Sequence, residues 1–191
     1  MRLHLLLFFQ TCALGKCTGI SIIDSTPLVS CHIKRANSHR TMMGWWHGFK
    51  VHIVINDRGE IIQWILTPGN TNDCEPLKDK DFTRRLFGKI FADKGYISKE
   101  LFESLFESGI HLVHGLKTNM KNKLMPMYDK ILLRKRALIE TVNDELKNVC
   151  NIEHTRYRSI DNFASNLIAG LIAYNLLSKK PSMSIDLIDK N

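Results

Sequence analysis

The chain has no Cys-x-x-Cys pair. Its five cysteines, Cys12, Cys17, Cys31, Cys74 and Cys150, are odd in number and irregularly spaced. That pattern supports neither a zinc knuckle nor a disulfide framework, and it reads as free thiols in a reducing compartment. No stretch approaches the ~20 apolar residues needed to span a bilayer, so no membrane partner is expected. Internal repeats and low-complexity tracts are absent too. Acidic residues are in short supply: 19 Asp and Glu stand against 27 Lys and Arg, leaving a net charge of +8. Such a balance favours a polyanionic partner, and nucleic acid is the first candidate. The positive charge gathers at 34–40, 117–123, 134–136 and 154–158.

What is present is enough for one domain. The 191 residues are 44% hydrophobic, a globular composition able to bury a sizeable core. The opening "MRLHLLLFFQTCALGKC" imitates a secretory signal, but its apolar run, Leu5 to Phe9, is short and His4 interrupts it. "GISIIDSTP" (19–27) reads as a buried strand closed by a turn at Asp24. "GFKVHIVIN" (48–56) alternates, with Phe49, Val51, Ile53 and Ile55 on one face. After the Asp57-Arg58-Gly59 turn, "EIIQWILTPG" (60–69) returns with Ile62, Trp64 and Leu66 on one face, so the two form a hairpin.

A helix is expected within 71–87, a strand at 89–93, an amphipathic helix at 98–109 capped by Ser98, and a strand at 110–117. One long helix is expected over 131–149 and a more apolar one over 160–178. Three strands thus come first and strands then alternate with helices, which makes an α/β protein with a mixed sheet flanked by helices.

Two carboxylates fall at strand ends: Asp24 closes the first strand and Asp93 the fourth. If those strands are parallel neighbours, the two acids sit side by side, where ligands bind in open α/β sheets. They repel unless a cation lies between them, and Mg²⁺, a hard ion bound through few carboxylates, suits that place. The 131–149 helix offers a third acid. Its apolar stripe is Leu138, Val142, Leu146 and Val149, and Arg136, Glu140, Asn143, Asp144 and Lys147 lie opposite. Of these, 136, 140, 144 and 147 fall within roughly 80° of one another. Taken singly, each residue also fits a plainer account: a strand-end Asp as a turn former, Arg136 and Glu140 as a surface ion pair.

Five ordered segments carry a resemblance: "GISIIDSTPL", "GFKVHIVIND", "LTPGNTNDCEPL", "FADKGYIS" and "LLRKRALIETVNDELKN". Over about residues 11–181 the chain resembles the DDE transposases of bacterial insertion sequences, most of all the insertion-sequence 982 family. The resemblance implies a ribonuclease H-like catalytic domain, with three antiparallel strands first and then alternating α/β. It implies a lead-in at 1–18 rather than an export signal, a catalytic core at 19–150, a helical part of the same domain at 151–178 and a flexible tail at 179–191. Asp24, Asp93 and Glu140 match the Asp-Asp-Glu triad, and Arg136 and Lys147 match the basic positions that flank the glutamate in related enzymes. Leu133 stands where those enzymes carry a tyrosine, so no tyrosine role carries over. The family also implies a further N-terminal region and a longer stretch before the "GFK" strand, so the chain is expected to be N-terminally truncated and shortened within 29–47.

The implied chemistry is metal-dependent DNA strand cleavage and strand transfer. Two Mg²⁺ ions, with Mn²⁺ as a substitute, would be held by the three acids. The implied partner is double-stranded DNA, both element ends and target, bound by a homo-oligomer in the bacterial cytoplasm, at the nucleoid. Arg136 and Lys147 would hold phosphates, while Lys117, Lys121 and Lys123 either line the DNA path or form a solvated loop. A non-catalytic DNA-binding remnant is the alternative. His111 and His114 lack a nearby third ligand and are not expected to hold metal, Trp64 is expected in the core, and Trp45-Trp46 stays open.

Overall fold

The computed structural model describes residues 2–29, 48–115, 125–153 and 159–183. Its five strands are β1 (Ile20–Val29), β2 (Gly48–Asn56), β3 (Ile61–Pro68), β4 (Gly88–Ala92) and β5 (Ile110–His114). They form one sheet in the order β3-β2-β1-β4-β5. β2 pairs antiparallel with β1 and with β3, while β4 runs parallel to β1 and to β5. The helices are α1 (Arg2–Phe8), α2 (Glu75–Lys78), α3 (Lys80–Thr83), α4 (Lys99–Glu107), α5 (Met127–Lys135), α6 (Leu138–Asn148) and α7 (Ile160–Leu176).

Alternation along the strands builds two cores, one on each face of the sheet. Ile22, Phe91, Val113, Val51, Ile53 and Ile55 point to the face covered by α5, α6 and α7. Ile23, Val54, Ile90, Ala92 and Leu112 point to the other, covered by α2, α3 and α4. From α6 the first core takes Ile139, Val142 and Leu146, all fully buried, each contributing roughly 1.5–3 kcal/mol. Residues 2–13, expected only as a lead-in, form α1 and a π-helical turn, Phe9–Ala13, that seat Phe9 in this core against Trp64.

Four expectations need correction. First, β1 does not stop at Asp24: it stays paired with β2 as far as Val29. β4 leaves it after Ile22, so Pro27 sits in a strand with one neighbour, where a missing N–H is tolerated. Second, the hairpin register shifts where Ile55 faces Ile61 and Val54 faces Gln63. That bulge turns Ile62 to the second core, while Trp64 and Leu66 pack on the first. Third, the helix within 71–87 is two single turns, because Asp79 is extended and caps the second through Asp81 N–H. Fourth, the helix over 131–149 begins earlier, at Met127, and is interrupted at Arg136-Ala137. There i→i+3 bonds (Arg136 N–H to Leu133 O, Ile139 N–H to Arg136 O) replace the regular ladder.

Candidate active site

The β1–β4 register is the foundation of the site. Ile22 faces Phe91 across the parallel pair. Two residues further along each chain come Asp24 and Asp93, on the same face by the two-residue period. Asp93 keeps the extended backbone (φ −76, ψ 171) before the chain tightens into a single 3-10 turn, Lys94–Tyr96. Gly19 (+87), just before β1, and Gly88 (+78), the first residue of β4, both have positive φ. A Cβ on Gly88 would run into the Gly19 carbonyl oxygen, so the two backbones touch where the pairing starts.

The third side of the site comes from α6. Asn143 Nδ2 donates to Asp24 Oδ2 at 3.0 Å, which ties the helix to β1. Glu140 lies one turn earlier on the same helix. The interruption between α5 and α6 sets Arg136 against both outer acids: its Nη2 is 3.4 Å from Glu140 Oε1 and 3.8 Å from Asp93 Oδ1. The side chains of Asp93 and Glu140 are 57% and 61% exposed, so water screens those pairs. Asp24 is the acid that feels the protein. Burial pushes its carboxyl up; the Ser25 backbone N–H and Arg136 pull it down, Asp93 and Glu140 push it up again, and the net shift is upward.

A second network supports Asp24 from behind. Ser25 Oγ donates to Asp73 Oδ1 at 2.7 Å, and Lys50 Nζ donates to the same oxygen at 3.0 Å and to Thr71 O at 3.0 Å. Burial pushes the Asp73 carboxyl up, but the Ser25 and Lys50 hydrogen bonds with the Lys50 charge outweigh it and hold Asp73 below the ordinary value. A Cβ at Gly95 would lie 3.3 Å from Asp73 Oδ2, so the loop after β3 reaches the turn after Asp93. Asp73 thus ties β1 to β2 through Ser25 and Lys50 beside Asp24. Neither it nor Lys50 was marked by spacing, although Asp73 lies in the motif "LTPGNTNDCEPL". Asn143, expected on the side opposite the apolar stripe and without a role, is instead buried against β1 and bonded to Asp24.

The other predicted residues lie elsewhere. Lys147 pairs with Glu153 at 3.1 Å and touches none of the three acids. His111 is exposed and meets the Phe102 and Phe106 rings edge-on, while the His114 ring bonds Gly115 O. Lys117, Lys121, Lys123, Trp45 and Trp46 lie outside the described residues.

Do these residues suit a divalent ion? Among the described residues no three of His, Cys, Asp and Glu stand close enough to hold one. The Arg136 guanidinium lies between Asp93 and Glu140. The donor chemistry does suit a hard ion: Asp24 feels the charges of both Asp93 and Glu140, and the amide of Asn143 stands beside it. Asn143 Oδ1 is buried with no hydrogen-bond partner among the described residues, at an ordinary cost of about 1–3 kcal/mol. An acceptor left over beside an acid cluster fits a site that takes up a hydrated cation.

The comparisons give the fold first. The chain is similar to the piggyBac transposase in a synaptic complex with hairpin DNA, with a TM-score of 0.57 at 10% identity over 84% of this chain and 46% of that one. It is also similar to a simian T-cell lymphotropic virus intasome in complex with PP2A regulatory subunit B56 gamma, with a TM-score of 0.42 at 13% identity over 80% of this chain and 48% of that one. The chain therefore spans a little under half the length of these solved structures. The mixed five-strand sheet flanked by helices is a ribonuclease H-like fold. No curated protein matches the chain. The family model for the transposase DDE domain matches residues 14–160, and the chain belongs to that family. No helix among the described residues is long and apolar enough to cross a membrane.

Proposed function

We propose that this chain is the catalytic part of a DNA transposase of the insertion-sequence 982 type. Its reaction is cleavage of DNA strands at element ends and their transfer to target DNA, within a homo-oligomer on double-stranded DNA. The observation that carries the reading is the Ile22–Phe91 register, after which Asp24 and Asp93 follow at matching positions where β1 and β4 part, with Asp24 tied to α6 through Asn143. Asp24, Asp93 and Glu140 would hold two divalent ions, Mg²⁺ or in its place Mn²⁺. When bound, such ions activate the attacking oxygen and stabilise the leaving one.

The chain's own residues do the rest. Asp24, half-buried and pushed up by burial, gains most from a cation. Arg136 neutralises Asp93 and Glu140 and is placed to hold a phosphate when those acids have another cation. Asp73, with Ser25 and Lys50, steadies β1 next to Asp24 as charge develops beside it.

A non-catalytic DNA-binding remnant is the second reading, favoured by the splay of the acids around Arg136. Nicking of a supercoiled plasmid in Mg²⁺ or Mn²⁺ separates the two. The catalytic reading expects nicking that needs the metal and is lost in Asp93→Ala. Nicking no greater than that of Asp93→Ala, with plasmid binding intact, selects the remnant.

A further inference from the structure

We infer that Asn143 is a positioning residue of the metal site, holding the Asp24 carboxylate through its amide N–H and accepting a hydrogen bond from ion-bound water through its carbonyl oxygen. The inference rests on the proposed metal site and deepens it.

Three observations converge. The Asn143 side chain is buried, 7% exposed, at the seam between α6 and β1, one turn from Glu140. Its Nδ2 contacts Asp24 Oδ2 at 3.0 Å. Its Oδ1 is buried with no partner among the described residues. The orientation follows from charge. An ionised carboxylate only accepts hydrogen bonds, so the NH₂ end must face Asp24 and the C=O end is left over. Turning the amide round would set acceptor against acceptor. The site therefore keeps an acceptor aligned beside its most buried acid, and the donor best suited to it is the polarised O–H of water on a cation.

The test is Mn²⁺ binding, read from the electron paramagnetic resonance signal of free Mn²⁺, together with the melting temperature of EDTA-treated and Mn²⁺-loaded protein. Asn143→Leu removes both amide atoms and is expected to weaken Mn²⁺ affinity about tenfold, the usual effect of losing a partner that orients a ligand. Asn143→Asp removes the N–H that holds Asp24 and puts a charged acceptor at both ends of the side chain. It is expected to lower the melting temperature in EDTA by repelling Asp24, and to bind Mn²⁺ more tightly than wild type. If both variants melt earlier in EDTA yet bind Mn²⁺ with wild-type affinity, Asn143 is a structural tie and the inference is overturned alone. If wild-type binding is absent, or survives Asp24→Asn, the metal-site reading itself is overturned and the inference falls with it.

Discussion

Asp24 carries a conflict that its neighbours only partly resolve. Burial opposes its charge and two more carboxylates add to the strain, against one guanidinium, one backbone N–H and one amide. The sign of the consequence is definite. As pH rises through the ordinary carboxyl value of 3.8, the unfolded chain releases the Asp24 proton before the folded chain does. Stability from this group is thus full below that value and falls above it. Asp24→Asn keeps the shape and an acceptor for Asn143 but removes the charge. In EDTA at neutral pH this variant is expected to melt at a higher temperature than wild type, by calorimetry, and to lose any stabilisation by Mn²⁺. A lower melting temperature would mean that Asp24 is a structural acid rather than a strained, functional one.

At the scale of elements, the β1–β4 junction decides whether two acids become one site. Its geometry depends on the backbone contact between Gly19 and Gly88, both at positive φ. Gly88→Ala places a Cβ in that contact and strains the backbone as well. It is expected to cost at least about 2 kcal/mol in urea unfolding, far more than a surface glycine would. Much of this level was legible in the sequence. The alternation of 48–56, the β-branched run before Asp24 and the capping Ser98 each followed from local chemistry. What was not legible depended on partners distant in the chain. Nothing in "RKRAL" marks a helix interruption, since it has neither proline nor glycine; the interruption appears only when α5 is tied to β4 by Lys89 and Asp129 at 2.6 Å while α6 packs on β1. Likewise the bulge that turned Ile62 over is a property of the pairing and not of either strand. Asp24 and Glu140 could be suspected from position, but Asp73 and Asn143 acquire meaning only through contacts 48 and 119 residues apart in sequence.

For the whole molecule, the same buried polar network sets an acid limit. His52 is fully buried in the middle of the sheet, with Nε2 2.9 Å from Thr67 Oγ1 and Nδ1 without a partner among the described residues. Burial, opposed by Asp73 and reinforced by Lys50, lowers its pKa to about 4 from an ordinary 6.5. The unfolded chain therefore binds a proton near pH 6.5 that the folded chain refuses until about pH 4. Stability from this group is full above the upper value and declines across that window as pH falls. Urea midpoints measured between those limits should fall with pH, and His52→Gln should flatten the decline; an unchanged slope would show that His52 is not its source.

The central claim is that Asp24, Asp93 and Glu140 form one metal site when the Arg136 guanidinium gives way. Anomalous diffraction from crystals of the protein soaked in Mn²⁺ addresses it directly. The account predicts a manganese peak at coordination distance from Asp24 and from Asp93 or Glu140, with the Arg136 side chain swung away. A map with no peak among these carboxylates at saturating Mn²⁺, and Arg136 still between Asp93 and Glu140, would contradict it.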